Sequence, residues 1–324
     1  MMRLLLLHSA WKPTMAVSRL AVHGLHASDY DNRHEETNVH FNEITIATMT
    51  RKSNRQRPSV NQDAAVVYAP FVTRQTTHMH DFFIGVFDRH GTQGHDVAQY
   101  AAKAIPERLA EKFNEDLSLR DNDSIVEALK ETFVEVDAEA PTSALLGGCT
   151  ATVTLRREKT LFIANTGDSR TIVVAVSDES QDVIYTTRKD KPHLPDELER
   201  ITRLGGKVHI RPQNPILSRV VIYTEAAHDQ IGLAMGRSIG DCEWGVQGVT
   251  AERIVDILPI NDDKMTSAFI VAASDGLWDV RQPQFVAIHF ADSFYRHSKT
   301  PLETCEFMIH KASPAREDLY RDDI

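Results

Sequence analysis

The sequence is short of cysteine, of long apolar runs and of positive charge. Its three cysteines, Cys149, Cys242 and Cys305, are odd in number and far apart. That argues against a disulfide scaffold and points to a reducing compartment. No stretch approaches the roughly 18 apolar residues of a membrane span. Lys and Arg number 36 against 46 Asp and Glu, a net charge of −10. A chain this acidic is a poor non-specific binder of nucleic acid, and no such partner is expected. Histidines number 15, but only His78 and His80 form a close pair, and no His-Glu-x-x-His occurs. A zinc centre is therefore not expected.

What remains is an ordinary globular composition, 42% hydrophobic over 324 residues, enough to bury a sizeable core. Residues 1–28 differ from the rest. They hold Arg3, Lys12 and Arg19 and no acid. The run of four leucines after Arg3 is too short for a secretory signal. Two readings stay open: an organellar presequence, or a structureless leader with Met15 as an alternative start. The expected location is cytoplasmic or nuclear unless residues 1–28 direct it to an organelle. The expected division is a leader over 1–40 and one domain over 41–324.

Alternation of apolar and polar residues from Phe41 to Met49 reads as a strand. Phe82–Phe87 and Phe269–Ala273 are apolar throughout and read as buried strands. Helical spacing predicts helices over 94–114 and 122–137. Thr150–Leu155, Thr160–Asn165 and Thr171–Val176 read as an antiparallel meander. Pro195 opens a short helix that Gly205-Gly206 stops. Residues 285–294 and 302–312 also read as helices, and 207–235 as a long surface flap. Strands in clusters favour an α+β layered sandwich over a doubly wound sheet.

Several strands deliver an aspartate where they begin or stop. Asp88 follows Phe82–Phe87, Asp275 follows Phe269–Ala273, and Asp168 follows Thr160–Asn165. Asp63 precedes the apolar run Ala64–Tyr68, and Asp322-Asp323 lies near the end of the sequence. One such aspartate is a turn former or a helix cap. Several buried together would need a cation to neutralise them, and an all-oxygen set suits Mg²⁺ or Mn²⁺. His90, two residues from Asp88, has the chemistry to protonate a leaving oxygen.

These pieces fall in a particular order. They are Asn61-Gln-Asp63, Val86-Phe-Asp-Arg-His-Gly91, Gly148-Cys-Thr-Ala151 and Ala164-Asn-Thr-Gly-Asp-Ser-Arg170. Lys191-Pro-His-Leu-Pro195, Gly205-Gly206, Leu233-Ala-Met-Gly-Arg-Ser-Ile-Gly-Asp241 and Ala273-Ser-Asp-Gly-Leu-Trp-Asp-Val280 follow. The set resembles the type 2C (PPM) metal-dependent serine/threonine protein phosphatases, in their plant-like and protist form. The resemblance implies a four-layer α-β-β-α sandwich, two antiparallel sheets flanked by helices. It implies two Mn²⁺ or Mg²⁺ ions bridged by Asp88, with the Arg89 carbonyl, Asp275 and Asp322 as further ligands. Asp168 with Asp275 would hold a weaker third ion, and Asp63 would act through waters around the metals. Arg57, or less favourably Arg55, would hold the substrate phosphate. His90 would protonate the departing Ser or Thr oxygen after attack by a bridging hydroxide. Phosphoproteins are the implied substrates, and a monomer the default.

Departures from the family pattern set expectations too. Arg89 stands where Gly is usual, which bears on backbone angles and on charge beside the metals. Lys189 stands where the family has Asp, and Gly236 where it has Ser. The sequence stops at Ile324, where members continue with a strand, so the domain is expected to lack its last strand. Arg89 and that ending favour a second reading, a phosphatase-like binding module with little turnover. A third reading is a metal-dependent hydrolase of small phosphate esters.

Overall fold

The computed structural model describes residues 2–10, 36–41, 44–51, 63–73, 81–91, 93–141, 147–177, 180–224, 229–260 and 267–319. In chain order the elements begin with β1 (Met2–Ala10), β2 (Glu36–Phe41), β3 (Ile44–Arg51), β4 (Ala64–Tyr68), β5 (Phe82–Phe87) and β6 (Arg89–Gly91). Helices α1 (Gly94–Glu115) and α2 (Asn122–Ala138) follow, then β7 (Gly147–Cys149), β8 (Ala151–Arg157), β9 (Thr160–Thr166), β10 (Arg170–Val176) and β11 (Gln181–Thr186). Next come α3 (Pro195–Arg203), β12 (Lys207–His209), β13 (Arg219–Thr224), β14 (Asp229–Leu233), β15 (Ile239–Gly240) and α4 (Cys242–Gly245). The last are β16 (Ile254–Pro259), β17 (Ser267–Ala273), α5 (Asp275–Trp278), α6 (Pro283–Tyr295) and α7 (Pro301–Leu319).

Two large sheets carry the architecture. One has the order β11-β10-β17-β1-β3-β2 and the other β16-β9-β8-β5-β4. Every pairing in them is antiparallel. Strand periodicity of two explains the layers. In β17, Phe269, Val271 and Ala273 face α5, α6 and α7, while Ile270 and Ala272 face the other sheet. In β5, Phe83 and Phe87 face α1 and α2, while Phe82, Ile84 and Val86 face inward. Runs apolar at every position are thus strands buried on both faces. The result is the four-layer α-β-β-α sandwich, with three apolar seams.

Most sequence expectations for single elements stand, and three need correction or extension. The run at 171–176 is not the third strand of a meander. β8 pairs with β9, but β10 pairs with β11 and β17 in the opposite sheet. The chain changes sheets at Gly167-Asp168-Ser169. Gly167 takes φ +98°, and a Cβ there would lie 2.6 Å from Thr150 Cγ2, so only glycine suits the crossing. The flap at 207–235 contains a small antiparallel sheet, β12-β13-β14. Its central strand, β13, is a short β-branched run that the polar stretch 211–214 hides in a periodicity reading. Finally, β1 and β2 precede the domain boundary read near residue 40, yet β1 pairs with both β17 and β3.

Candidate active site

Strand register, rather than sequence proximity, gathers the aspartates. Ala64 lies opposite Phe87, so Asp63 and Asp88 leave the same end of the sheet. Val86 pairs with Thr152, and Ala151 pairs with Thr166, which brings Asp168 to that end. Arg170 pairs with Ala273, which brings Asp275 beside it, on the first turn of α5. Thr150 ties the pieces together. Its N–H donates to the Asp88 carbonyl (2.8 Å). Its Oγ1 accepts from the Asp88 N–H (3.2 Å) and shares a hydrogen bond with Ser169 Oγ (2.6 Å).

The electrostatics are those of crowded like charges. Burial, then the neighbouring Asp63 and Asp275, push the Asp88 carboxyl well above the usual carboxylate range. Asp63 is 1% exposed, and its Oδ2 is buried with no hydrogen-bond partner. A hard dication would relieve both conditions, and the donors are all oxygen. The residues present fit such a group in charge and chemistry. Among the described residues, no three of His, Cys, Asp or Glu already stand in ligating range of one point. Asp322, the remaining carboxylate expected as a ligand, lies outside the described residues, as do Arg55 and Arg57.

Arg89 sits on β6, opposite Cys149 of β7. The described non-glycine residues with positive φ are Glu158, Asp241 and Ser298, so Arg89 carries no left-handed strain. Its Nη1 donates to the Gly91 carbonyl (3.0 Å). Burial lowers its pKa, against the pull of Asp63 and Asp88. Arginine is therefore accommodated where the resemblance would place glycine.

His90 has a partner that sequence reasoning missed. Its Nε2 lies 2.5 Å from Asp241 Oδ2, and Ser238 Oγ donates to the same oxygen at 2.5 Å. Burial pulls the imidazole pKa down, but Asp241 more than offsets this, and it ends raised. The other ring nitrogen, Nδ1, is buried with no hydrogen-bond partner. Asp241 is placed with some force. Its φ is +56°, a region that Asp tolerates better than most residues. A Cβ on Gly148 would lie 2.6 Å from its carboxylate. The preceding N–H, of Gly240, donates to Asp137 Oδ1 (2.7 Å), whose carboxyl burial lifts to about 6. The only sequence trace of this role was Gly-Asp closing a motif.

Asp168 is already engaged. Lys191 Nζ donates to its Oδ2 at 2.6 Å, with both side chains nearly buried. Lys189 Nζ lies 2.5 Å from Asp279 Oδ1, at the end of α5.

Comparison with known proteins gives a consistent picture. A family model described as Protein phosphatase 2C matches residues 49–317. "Probable protein phosphatase 2C 34" of Arabidopsis thaliana is 29% identical over 292 residues, covering 84% of this chain and 77% of that protein. "Probable protein phosphatase 2C 52" of Arabidopsis thaliana is 33% identical over 283 residues, 74% of this chain and 57% of that protein. The chain thus spans a little over half the length of the second. The solved structure of serine-threonine phosphatase 2C from Toxoplasma gondii superposes with a TM-score of 0.67 at 16% identity, covering 82% of this chain and 88% of that one. At that identity the likeness concerns the fold.

Proposed function

The chain belongs to the protein phosphatase 2C family and is a protein serine/threonine phosphatase; from that premise we propose that it cleaves phosphoserine and phosphothreonine esters with His90 as proton donor. The observation that carries this reading is the pairing of His90 Nε2 with Asp241 beside an aspartate cluster, with Nδ1 left without a partner.

Asp88, Asp275, Asp322 and the Arg89 carbonyl would hold two Mn²⁺ or Mg²⁺ ions, with Asp63 oriented toward the waters around them. Bound there, the ions supply positive charge for the phosphate and lower the pKa of water. Asp241 fixes the imidazole plane and directs Nδ1 toward the departing oxygen. A protonated His90 gives up its proton from Nδ1, so the serine or threonine leaves as a neutral alcohol. Asp241, held against Nε2, stabilises the imidazolium beforehand. Arg89 and Arg57 offer guanidinium groups to the phosphate oxygens. Because the Arg89 backbone is unstrained, its dihedral angles give no ground for reading the chain as an inert binding module. The free cysteines fit a reducing compartment, where we place the protein as a monomer.

Replacing His90 by Asn tests the proton-donor role through the leaving group. Hydrolysis of a phosphothreonine peptide should fall by about 10²–10⁴-fold in kcat. Hydrolysis of 4-nitrophenyl phosphate, whose phenolate leaves without a proton, should fall far less. An equal loss on both substrates would contradict the assignment.

A further inference from the structure

The carboxylates around Asp168 already have cations, and these belong to the chain. Lys191 Nζ bonds Asp168 Oδ2 at 2.6 Å, with side chains only 10% and 3% exposed. Lys191 also lies in the fields of Asp279 and Asp275. Lys189, which is 8% exposed at its side chain, bonds Asp279 Oδ1. Asp275 opens α5 and Asp279 caps its end one turn on, joined by the Asp279 N–H to the Asp275 carbonyl (2.8 Å). Two ammonium groups thus bond two of these carboxylates, with Asp275 in the field of Lys191.

The lysines are not on a loose loop. Asp190, between them, donates its N–H to the Gly167 carbonyl (3.0 Å) and accepts from the Gly167 N–H through Oδ2 (3.1 Å). Its own carbonyl accepts from the Gly236 N–H (2.7 Å). Asn165 Nδ2 bridges the Gly167 and Arg188 carbonyls at 3.2 Å each. The segment carrying both lysines is therefore clamped to the turn carrying Asp168. An incoming dication would have to displace a buried ammonium whose backbone cannot retreat, and it would leave that charge stranded.

We propose that Lys189, the departure from the family pattern, completes with Lys191 a pair of ammonium groups that replaces a third divalent cation at Asp168, Asp275 and Asp279, so that Asp168 is an ion-pair partner and not a metal ligand in this chain. The inference rests on the two-ion reading of Asp88 and Asp275. It accounts for lysine at 189, where the resemblance would have placed another carboxylate.

Counting bound Mn²⁺ by electron paramagnetic resonance of the free ion tests this without activity. Asp168→Asn should leave the number of bound ions unchanged from the native chain. The double variant Lys189→Asp, Lys191→Met should bind one more ion, which adding Asp168→Asn should abolish. The double variant should also melt lower without metal and recover more on adding Mn²⁺ than the native chain does. Loss of an ion in Asp168→Asn, or no extra ion in a double variant shown folded by circular dichroism, would overturn the proposal. Asp88→Asn serves as the separate control. If it binds as many ions as the native chain, the two-ion reading fails, while the Asp168 comparison still decides the lysine assignment.

Discussion

Asp88→Asn should lower turnover of a phosphothreonine peptide by about 10³-fold or more, while the metal-free protein becomes harder to melt. The two effects share one cause. Asp88 lies close enough to Asp63 and Asp275 for their charges, with burial, to push its carboxyl well above the usual range. Asparagine keeps the shape and removes the charge, so repulsion within the cluster falls. The same change removes the carboxylate proposed to be shared between two ions, a role worth several kcal/mol of transition-state stabilisation. Opposite movements of stability and activity distinguish a functional carboxylate from a structural one. Melting curves in EDTA and initial rates in Mn²⁺ read the two effects separately. Turnover within tenfold of the native chain would remove Asp88 from the chemistry.

Glu197→Ala should cost stability on the scale of 3–5 kcal/mol, the usual result of removing one partner from a buried ion pair. Glu197 is 0% exposed. Arg188 Nη2 and Arg237 Nε meet its Oε1 at 2.5 and 2.7 Å, and Arg200 Nη2 meets Oε2 at 2.7 Å. Three guanidinium groups from three segments converge on one carboxylate. Without it they are left partly desolvated and mutually repelling. Gly236 belongs to the same arrangement, because a Cβ there would lie 2.5 Å from Glu197 Oε2. Glycine in place of the family's serine thus makes room for the hub. Urea unfolding monitored by circular dichroism measures the cost. A loss under about 1 kcal/mol would mean that solvent screens these pairs as it screens surface ones.

Much of this was legible in the residues, and the gaps have physical reasons. Asp63, Asp88, Asp168 and Asp275 announced themselves because each abuts a strand, and a strand end is where a sheet presents functional groups. Buried strands were visible because two-sided burial removes polar residues from every position. The switch of β10 to the other sheet was not visible. Local pattern records that a strand exists, but register and partner are long-range facts. The small flap sheet hid behind a polar connection. Asp241 escaped notice because its partner His90 is 151 residues away, and only the fold joins them. The ion pairs of Lys189 and Lys191 were hidden for the same reason. Arg89 looked like a backbone problem from sequence alone, and its dihedral angles show that it is not one.

The most direct test of the central claim is phosphate release from a phosphothreonine peptide by the native chain, first with Mn²⁺ and then with EDTA. Release that depends on the metal, and returns when Mn²⁺ is restored, is the predicted result. No release from protein shown to be folded, or release unaffected by EDTA, would contradict it.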